Sequence, residues 1–273
     1  MLNLSGIRHV VLDMDGTIYL GKRLFPQSLP FLANLSRLGI SHSFLTNNCS
    51  KSRAEYVRHL EAIGISASPD SIQTSAHATA HYLSTALPGA RRLFVLGTPG
   101  LDDDFRLAGF EIVDEEPDAV VVGFDTALTY DALCRTAYWI NRGLPYIATH
   151  PDRICPTDRQ TVLPDCAAIC ALLETATGRA PDAVPGKPNP MMLDSVFAER
   201  HVEPHEVALI GDRLYTDIRM ARDAGVLAVL TLTGETKRSD VESCPAANRP
   251  DLIIEDLGEL QRLLEEAHRP YTK

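Results

Sequence analysis

HVVLDMDGTIYLG, the stretch from His9 to Gly21, begins as an apolar strand and ends in acid and glycine. Residues i and i+2 of a strand point to the same side, so Asp13 and Asp15 are expected to project together where this strand ends. Two neighbouring carboxylates repel each other unless one is protonated or a positive group lies between them. The stretch therefore raises the question of what neutralises this pair of aspartates at the end of the strand.

The composition of the chain is that of an ordinary globular protein. Its 273 residues, 45% of them hydrophobic and 23% charged, suffice for one large domain or two moderate ones. The formal net charge of −10 and the lack of a long basic run argue against nucleic acid or an anionic membrane surface as a partner. We therefore expect no nucleic acid and no membrane among its partners.

The amino terminus and the cysteines indicate a reducing compartment. The opening sequence MLNLSGIRHVVLD has neither the basic start nor the long apolar core of a signal peptide. No apolar stretch approaches the roughly 18 residues of a membrane span. The six cysteines form no CxxC pair and are interpreted as reduced thiols. These features predict a cytoplasmic protein.

One cluster of residues allows a metal interpretation, namely His150, Cys155, Asp165, Cys166 and Cys170. The spacing of Cys166 and Cys170 places two thiols on one helical face, as a zinc site could use them. The alternative, which we favour, makes Cys170 a buried helix residue and Cys166 a small residue at the helix start. The sequence leaves the role of these cysteines open.

Apolar periodicity predicts alternating strands and helices along the first part of the chain. The pattern gives strands at 7–13 and 40–48 and helices at 28–39, 51–64 and 71–89. This alternation is typical of a doubly wound parallel α/β sheet, whose functional residues lie at the carboxyl ends of the strands.

The alternation of strands and helices continues through a second α/β layer. It is followed by further strand–helix units like those of the first part of the chain. The topology predicts a core domain of residues 1–82 plus 180–273, with residues 83–179 inserted as a second α/β domain. These bounds depend on the order of the elements alone.

Chemically capable residues gather at four places near strand ends or helix starts. They are Asp13 with Asp15, then Thr46, then Lys187, and finally Asp212 with Asp217. Four converging carboxylates against one lysine are not balanced, because two like charges about 4 Å apart repel by roughly 4 kcal/mol at a protein-like dielectric constant. A divalent cation relieves this repulsion, and oxygen ligands favour Mg²⁺ over zinc.

A Mg²⁺ ion in turn suggests a phosphate group. The metal, Lys187, Thr46 and the backbone N–H groups of the DGT turn would together surround the oxygens of a phosphoryl group. A metal ion bound between the aspartates and a phosphate would thus neutralise the pair that ends the first strand. Taken singly, each motif is also an ordinary turn or helix cap; their order and register favour the joint interpretation.

The segments DMDGTIYLG, TNN, GKPNP and GDRLYTDI resemble, in order, the four motifs of the haloacid dehalogenase-like (HAD) phosphohydrolase superfamily. The long segment between the second and third motifs is similar to the type-2 cap of subfamily IIA, in its NagD-like or p-nitrophenylphosphatase group. The resemblance covers nearly the whole chain. It implies a Rossmann-like core with an inserted α/β cap domain, which agrees with the order of the elements.

The resemblance also implies the chemistry. Asp13 would be the nucleophile that forms a phosphoaspartate, and Asp15 would act first as general acid and then as general base. Mg²⁺ would be bound by Asp13, by the carbonyl oxygen of Asp15 and by Asp212, with Asp217 supporting the metal site.

Three further residues are assigned to the phosphoryl group, namely Thr46, Asn47 and Lys187.

Only 33 residues separate Asp13 from Thr46, which leaves no room for a cap domain there, whereas 141 residues separate Thr46 from Lys187. The presence of an acid at Asp15 favours hydrolysis of phosphomonoesters or transfer of their phosphoryl group, because an alkoxide leaves with difficulty unless it is protonated.

The leading hypothesis is a Mg²⁺-dependent phosphatase of small phosphorylated metabolites. The alternatives are a phosphotransferase that uses a hydroxyl acceptor and a non-catalytic module that binds phosphometabolites. Relatives of this kind also suggest a homodimer formed through the cap.

Specificity is expected to lie in the cap, in the segment IATHPDRICPTDRQTVLPDCAAIC. It predicts a strand ending at Thr149, an irregular polar loop and a helix starting near Asp165. His150, Asp152 and Asp165 are the candidates for contact with the leaving group. The alternative makes them a packing residue, a turn residue and a helix cap.

Overall fold

The computed structural model describes residues 2–21, 23–155 and 161–269. The chain separates into two compact units. Unit 1 comprises Met1–Leu45, Leu60–Ser71 and Leu193–Lys273, and unit 2 comprises Thr46–His59 and Ile72–Met192. These units are defined by their internal packing, and the predicted domain bounds of 1–82 plus 180–273 and 83–179 remain a prediction.

Unit 1 is built around parallel strands with helices between them. Its strands are β1 (His9–Asp13), β2 (Tyr19–Leu20), β3 (Arg23–Leu24), β4 (Ser41–Thr46, whose last residue belongs to unit 2), β12 (Val207–Gly211), β13 (Leu227–Thr231) and β14 (Leu252–Ile254). Its helices include α1 (Ser28–Arg37), α7 (Asp194–Arg200), α8 (Arg219–Ala224), α9 (Arg238–Ser243) and α10 (Leu257–Ala267). A π-helical turn, Leu214–Ile218, precedes α8.

Five of these strands lie side by side and parallel, in the order β14–β13–β12–β1–β4. All five residues of β1 are buried, as are all five of β12. A strand that is covered on both faces needs apolar residues throughout. This explains why Val10 to Leu12 in β1 form a continuous apolar run rather than an alternating pattern. The predicted doubly wound parallel fold is confirmed.

Unit 2 has its own sheet and helices. Its elements are α2 (Arg53–Ala62, which continues into unit 1), β5 (Ile72–Thr74), α3 (Ser75–Ala86), β6 (Arg92–Leu96), α4 (Pro99–Leu107), β7 (Glu111–Ile112), β8 (Ala119–Val122), α5 (Tyr130–Asn141), β9 (Tyr146–Ala148), β10 (Ile154–Cys155), β11 (Leu163–Pro164) and α6 (Cys166–Thr177). Four strands run parallel in the order β7–β6–β8–β9.

Alternate residues of β8 pack into two different apolar clusters of unit 2. Ala119 and Val121 belong to a cluster with Phe105 from α4, whereas Val120 and Val122 belong to another with Ile140 from α5. Because successive side chains of a strand point to opposite faces, both faces of this sheet are covered. The predicted second α/β layer is therefore present.

Two elements differ from their predictions. The helix expected at 71–89 begins only at Ser75, because Ile72–Thr74 is a strand and the Thr74 hydroxyl accepts the N–H of His77 as the helix cap, at 3.2 Å. The loop expected to be irregular contains the short antiparallel pair β10 and β11, while residues 156–160 lie outside the described part.

In the described part of the chain, the longest helices fall short of the length and apolar content that crossing a membrane requires.

Candidate active site

The ends of β1 and β12 bring two aspartates to one edge of the sheet. The strands are parallel neighbours in which Leu12 pairs with Ile210, so Asp13 at the end of β1 and Asp212 after β12 emerge side by side. The turn that follows β1 is tight. The carbonyl oxygen of Met14 accepts the N–H of Ile18 at 2.9 Å, and Gly16 adopts a left-handed φ of 90° that other residues rarely adopt.

Three carboxylates form what we call the acidic cluster, namely Asp13, Asp212 and Asp217. One ligand atom from each lies within 4.8 Å of the others. The three residues are 7%, 3% and 0% exposed. Carboxylates so close together and so deeply buried are strongly disfavoured unless positive charge compensates them.

Local donors hold each carboxylate of the acidic cluster in place. The Thr17 hydroxyl donates to Asp13 at 3.4 Å, and the Glu235 N–H donates to Asp212 at 2.7 Å. The N–H of Arg213 donates to Asp217 at 3.2 Å. The π-helical turn therefore orients Asp217 as well as bringing it near the end of β12.

Three glycines lie against the acidic cluster at positions where a Cβ atom would not fit. A Cβ atom at Gly16 or Gly234 would collide with the carboxylate of Asp212, and one at Gly211 would collide with Asp217. The cradle is thus shaped for oxygen ligands and a small partner. An all-oxygen donor set of buried carboxylates fits the hard cation Mg²⁺ better than zinc.

Asp15 is not a member of the acidic cluster. Its side chain is exposed, and the N–H of Gly21 approaches its Oδ1 at 3.4 Å. Its roles as general acid and general base remain predictions. The metal role implied for this residue involves its backbone carbonyl, and that assignment remains a prediction.

Unit 2 carries the other predicted phosphate ligands, which are all buried. Thr46, Asn47 and Lys187 are 9%, 5% and 4% exposed. The Asn47 side chain joins two loops, because its Oδ1 accepts the N–H of Lys187 at 2.8 Å and its Nδ2 donates to the Lys187 carbonyl at 3.1 Å. Asn47 Nδ2 also donates to both carboxylate oxygens of Asp152, at 3.2 and 3.3 Å. We call Asn47, Asp152 and Lys187 the Asn47 clamp.

The cap candidates His150 and Asp165 are interior residues. His150 is fully buried, and its Nε2 lies 2.9 Å from Asp165 Oδ1. Burial alone would lower the pKa of His150, but the neighbouring Cys166 and hydrogen bonds to Asp165 and Cys49 raise it well above its usual value. Asp165 also caps α6 by accepting the N–H of Cys166 at 2.6 Å. Contact of either residue with a leaving group remains a prediction.

The cysteines match the packing interpretation. Cys166 and Cys170 are buried in the apolar cluster formed with Ile169 and Leu173. The two groups of potential metal ligands found among the described residues are the acidic cluster and the set His150, Asp152 and Asp165, and neither contains a thiol. None of the six cysteines, all of which are described, forms a disulfide.

Several site residues escaped the sequence argument. Ser75 donates its hydroxyl to the Asn47 carbonyl at 2.5 Å, and Gly186 and Gly234 allow close backbone approach. The glycine in GKP is a detectable signal, since it directly precedes a predicted ligand. Ser75 carries no such signal, because the sequence placed it within a longer helix.

Comparison with known proteins agrees with this arrangement. The family model for haloacid dehalogenase-like hydrolases matches residues 10–111, and a second HAD-hydrolase-like model matches residues 184–260. The chain is 33% identical over 256 residues to the acid sugar phosphatase of Staphylococcus aureus strain USA300, covering 93% of this chain and 97% of that protein.

Two solved structures are also similar over most of the chain. The 4-nitrophenylphosphatase of Thermotoga maritima is 41% identical with a TM-score of 0.90, covering 95% of this chain and 98% of that one. The glycerol phosphate phosphatase of Mycobacterium tuberculosis, solved in complex with magnesium, is 30% identical with a TM-score of 0.88, covering 95% of this chain and 78% of that one.

Proposed function

The chain belongs to the haloacid dehalogenase-like hydrolases, as an HAD-type phosphatase of the NagD-like subfamily IIA group, and from this premise we propose that it hydrolyses small phosphomonoesters with Mg²⁺ through a phosphoaspartate on Asp13. The observation that carries the proposal is the acidic cluster, in which three buried carboxylates approach within 4.8 Å of one another.

The residues present fit a magnesium ion. Asp13 and Asp212 would bind it, together with the backbone carbonyl of Asp15, and Asp217 would complete or support the ligand set. When bound, Mg²⁺ supplies a positive charge that offsets the developing negative charge of the phosphoryl oxygens.

The first chemical step is assigned to Asp13 and Asp15. A carboxylate oxygen of Asp13 forms a bond to phosphorus, the bond from phosphorus to the ester oxygen breaks, and Asp15 protonates that oxygen. The second step uses water. Asp15 takes a proton from the water that attacks phosphorus, the bond to Asp13 breaks, and inorganic phosphate leaves.

Thr46 and Lys187 are proposed to bind the transferring phosphoryl group, as the second and third family motifs imply. A hydroxyl and an ammonium group are suitable donors to phosphoryl oxygens. The amide of Asn47 is already engaged within the Asn47 clamp, so we assign that side chain to positioning and leave phosphate contact to its backbone.

The proposed substrates are small phosphorylated metabolites. The relatives are named acid sugar phosphatase, 4-nitrophenylphosphatase and glycerol phosphate phosphatase, which supports a class of compact phosphomonoesters. We therefore expect sugar phosphates, glycerol phosphate and p-nitrophenyl phosphate to be turned over.

The deciding assay measures phosphate release from such a panel with Mg²⁺ and with a chelator. We expect release in Mg²⁺ and loss of release in the chelator, restored by excess Mg²⁺. Asp13→Asn tests the site, and Asp103→Asn, which neutralises an exposed carboxylate of unit 2, is the matched control. Equal release with and without the metal would refute the proposal.

Three expectations about location, partners and assembly accompany this function. We propose a cytoplasmic enzyme that acts without nucleic acid and forms a homodimer through its cap. Exposed aromatic side chains on α5, Tyr130 and Tyr138, are 82% and 54% exposed and support a contact surface there. Sedimentation of the wild type beside a Tyr130→Ser, Tyr138→Ser double variant tests the dimer.

A further inference from the structure

Both polar atoms of the Asn47 side chain form hydrogen bonds inside unit 2. The amide has two donor hydrogens and one carbonyl oxygen. One hydrogen goes to the Lys187 carbonyl, the other is shared between the two oxygens of Asp152, and the oxygen accepts the Lys187 N–H. A buried amide satisfied in this way is expensive to disturb, because each broken bond leaves a buried polar group unpaired.

Asp152 determines the orientation of the Asn47 side-chain amide. A carboxylate only accepts hydrogen bonds, so it must face Nδ2 of Asn47 rather than Oδ1. That orientation leaves Oδ1 directed at the backbone N–H of Lys187, where an acceptor is required. Two independent contacts thus select the same amide orientation.

The surrounding backbone leaves the Asn47 clamp little freedom. Ser75 fixes the Asn47 carbonyl, and the N–H of Gly186 donates to the Thr149 carbonyl at 2.9 Å. A Cβ atom at Gly186 would lie 2.6 Å from that carbonyl oxygen and 2.9 Å from Asn47 Oδ1. The loop that carries Lys187 is therefore held by hydrogen bonds on the segment just before it and on its own N–H.

We propose that Asp152 is a positioning residue that acts through Asn47 to fix the backbone of Lys187. This proposal rests on the proposed function only in so far as Lys187 binds the phosphoryl group. It is an alternative to the expectation that Asp152 contacts the leaving group. Substituting a residue that contacts the leaving group should alter the ranking of substrates in kcat/KM and leave phosphate binding unchanged. Substituting a residue that positions Lys187 should weaken phosphate binding and leave the ranking unchanged.

Amide hydrogen exchange tests the clamp without any catalytic readout. In the segment VPGKPNP three positions are prolines without an N–H, which leaves the amides of Val184, Gly186, Lys187 and Asn189. Exchange followed by NMR resolves the Lys187 amide from the other three. We expect Asp152→Ala to speed exchange of this amide about tenfold, as the loss of one charged hydrogen bond implies. Asp152→Asn, which keeps an acceptor, should stay close to the wild type.

The matched control is Asp125→Ala, which removes another half-buried carboxylate of unit 2. Among the described residues its hydrogen bond is a local one, from the N–H of Ala127 at 2.8 Å. This variant should leave the exchange of Lys187 unchanged. Unchanged exchange in Asp152→Ala, or an equal rise in the Asp125→Ala control, would overturn the proposal.

A double-mutant cycle then tests whether Asp152 acts through Asn47. The quantity measured is the dissociation constant of inorganic phosphate in Mg²⁺, obtained by calorimetry. Asp152→Ala should weaken binding about tenfold in the wild type and less than about twofold in Asn47→Ala, because coupled residues are not additive. Substrate ranking in kcat/KM should stay the same.

Additive losses, or a changed ranking with unchanged phosphate binding, would overturn the proposal and return Asp152 to contact with the leaving group. If the wild type neither binds phosphate nor hydrolyses any ester, the proposed function fails. The exchange of Lys187 still decides the clamp in that case.

Discussion

The acidic cluster of unit 1 and the Asn47 clamp of unit 2 are two buried polar groups built in opposite ways. The acidic cluster holds three carboxylates of the same sign within 4.8 Å. The Asn47 clamp pairs each donor of one amide with an acceptor and each acceptor with a donor. The first arrangement calls for a positive group, whereas the second is complete as a part of the fold.

Asp104 shows how strongly burial alone acts on a carboxyl group in this protein. It is 8% exposed, and its Oδ1 accepts the N–H of Arg53 at 3.1 Å. Burial still raises its pKa to about 6. The acidic cluster gathers three buried carboxylates within 4.8 Å, so we expect it to respond to Mg²⁺ and the Asn47 clamp not to respond.

The largest expected effect comes from Asp13→Asn. The amide keeps the shape of the side chain but loses the nucleophilic charge, so turnover should fall by at least about a thousandfold. The circular dichroism spectrum should match that of the wild type. Retention of more than a few per cent of the wild-type rate would remove Asp13 from the nucleophilic role.

The next effect separates the two chemical steps. Asp15→Asn should spare the first step with p-nitrophenyl phosphate, whose phenolate leaves readily, more than with an alkyl phosphate. The second step lacks its base, so rapid-quench kinetics should show a burst of nitrophenol and then slow turnover. If both esters lose the first step equally, Asp15 is not the acid.

A third effect contrasts the two regions through stability. Mg²⁺ at about a hundred times its dissociation constant should stabilise the wild type by roughly 2.7 kcal/mol, seen as a rise in Tm. Asp212→Asn should lose this rise, and Asp152→Ala should keep it. A rise that survives in Asp212→Asn, or one that disappears in Asp152→Ala, would show that the acidic cluster is not the Mg²⁺ site.

The smallest effect concerns Asp104 and pH. Its raised pKa means that between pH 3.8 and about 6 the folded protein holds a proton that the unfolded chain has released. Its contribution is therefore present below about pH 4 and is lost as the pH rises towards 6. Asp104→Asn should remove this step and be more stable than the wild type at pH 8, by roughly 3 kcal/mol. Identical pH profiles from denaturant unfolding would contradict this reading.

The elements that hold the catalytic candidates could be predicted from the sequence because each leaves a local signal. The apolar run before Asp13 predicted β1, and the glycines and acids after it predicted the turn. The order of the motifs also gave the Mg²⁺ hypothesis, which needs only the charges and the strand ends. The acidic cluster brings together three of the four predicted carboxylates, and Asp15 is not a member of it.

The roles in the cap could not be predicted in the same way. Whether His150 faces a ligand or the interior depends on what packs over it, and the sequence alone does not tell that it is fully buried against Asp165. The start of α3 was misplaced because Thr74 caps the helix from within a helix-like apolar pattern. Long-range partners, such as Asp152 for Asn47, leave no mark at short spacing.

The most direct test of the account looks for the phosphoryl group on Asp13. Asp15→Asn, mixed with p-nitrophenyl phosphate and Mg²⁺ and quenched in acid, should yield a peptide spanning His9 to Gly21 that is heavier by one phosphoryl group. We expect this mass on that peptide and its absence from the Asp13→Asn, Asp15→Asn double variant. Steady turnover by the wild type with no labelled peptide, or with the label on another residue, would contradict it.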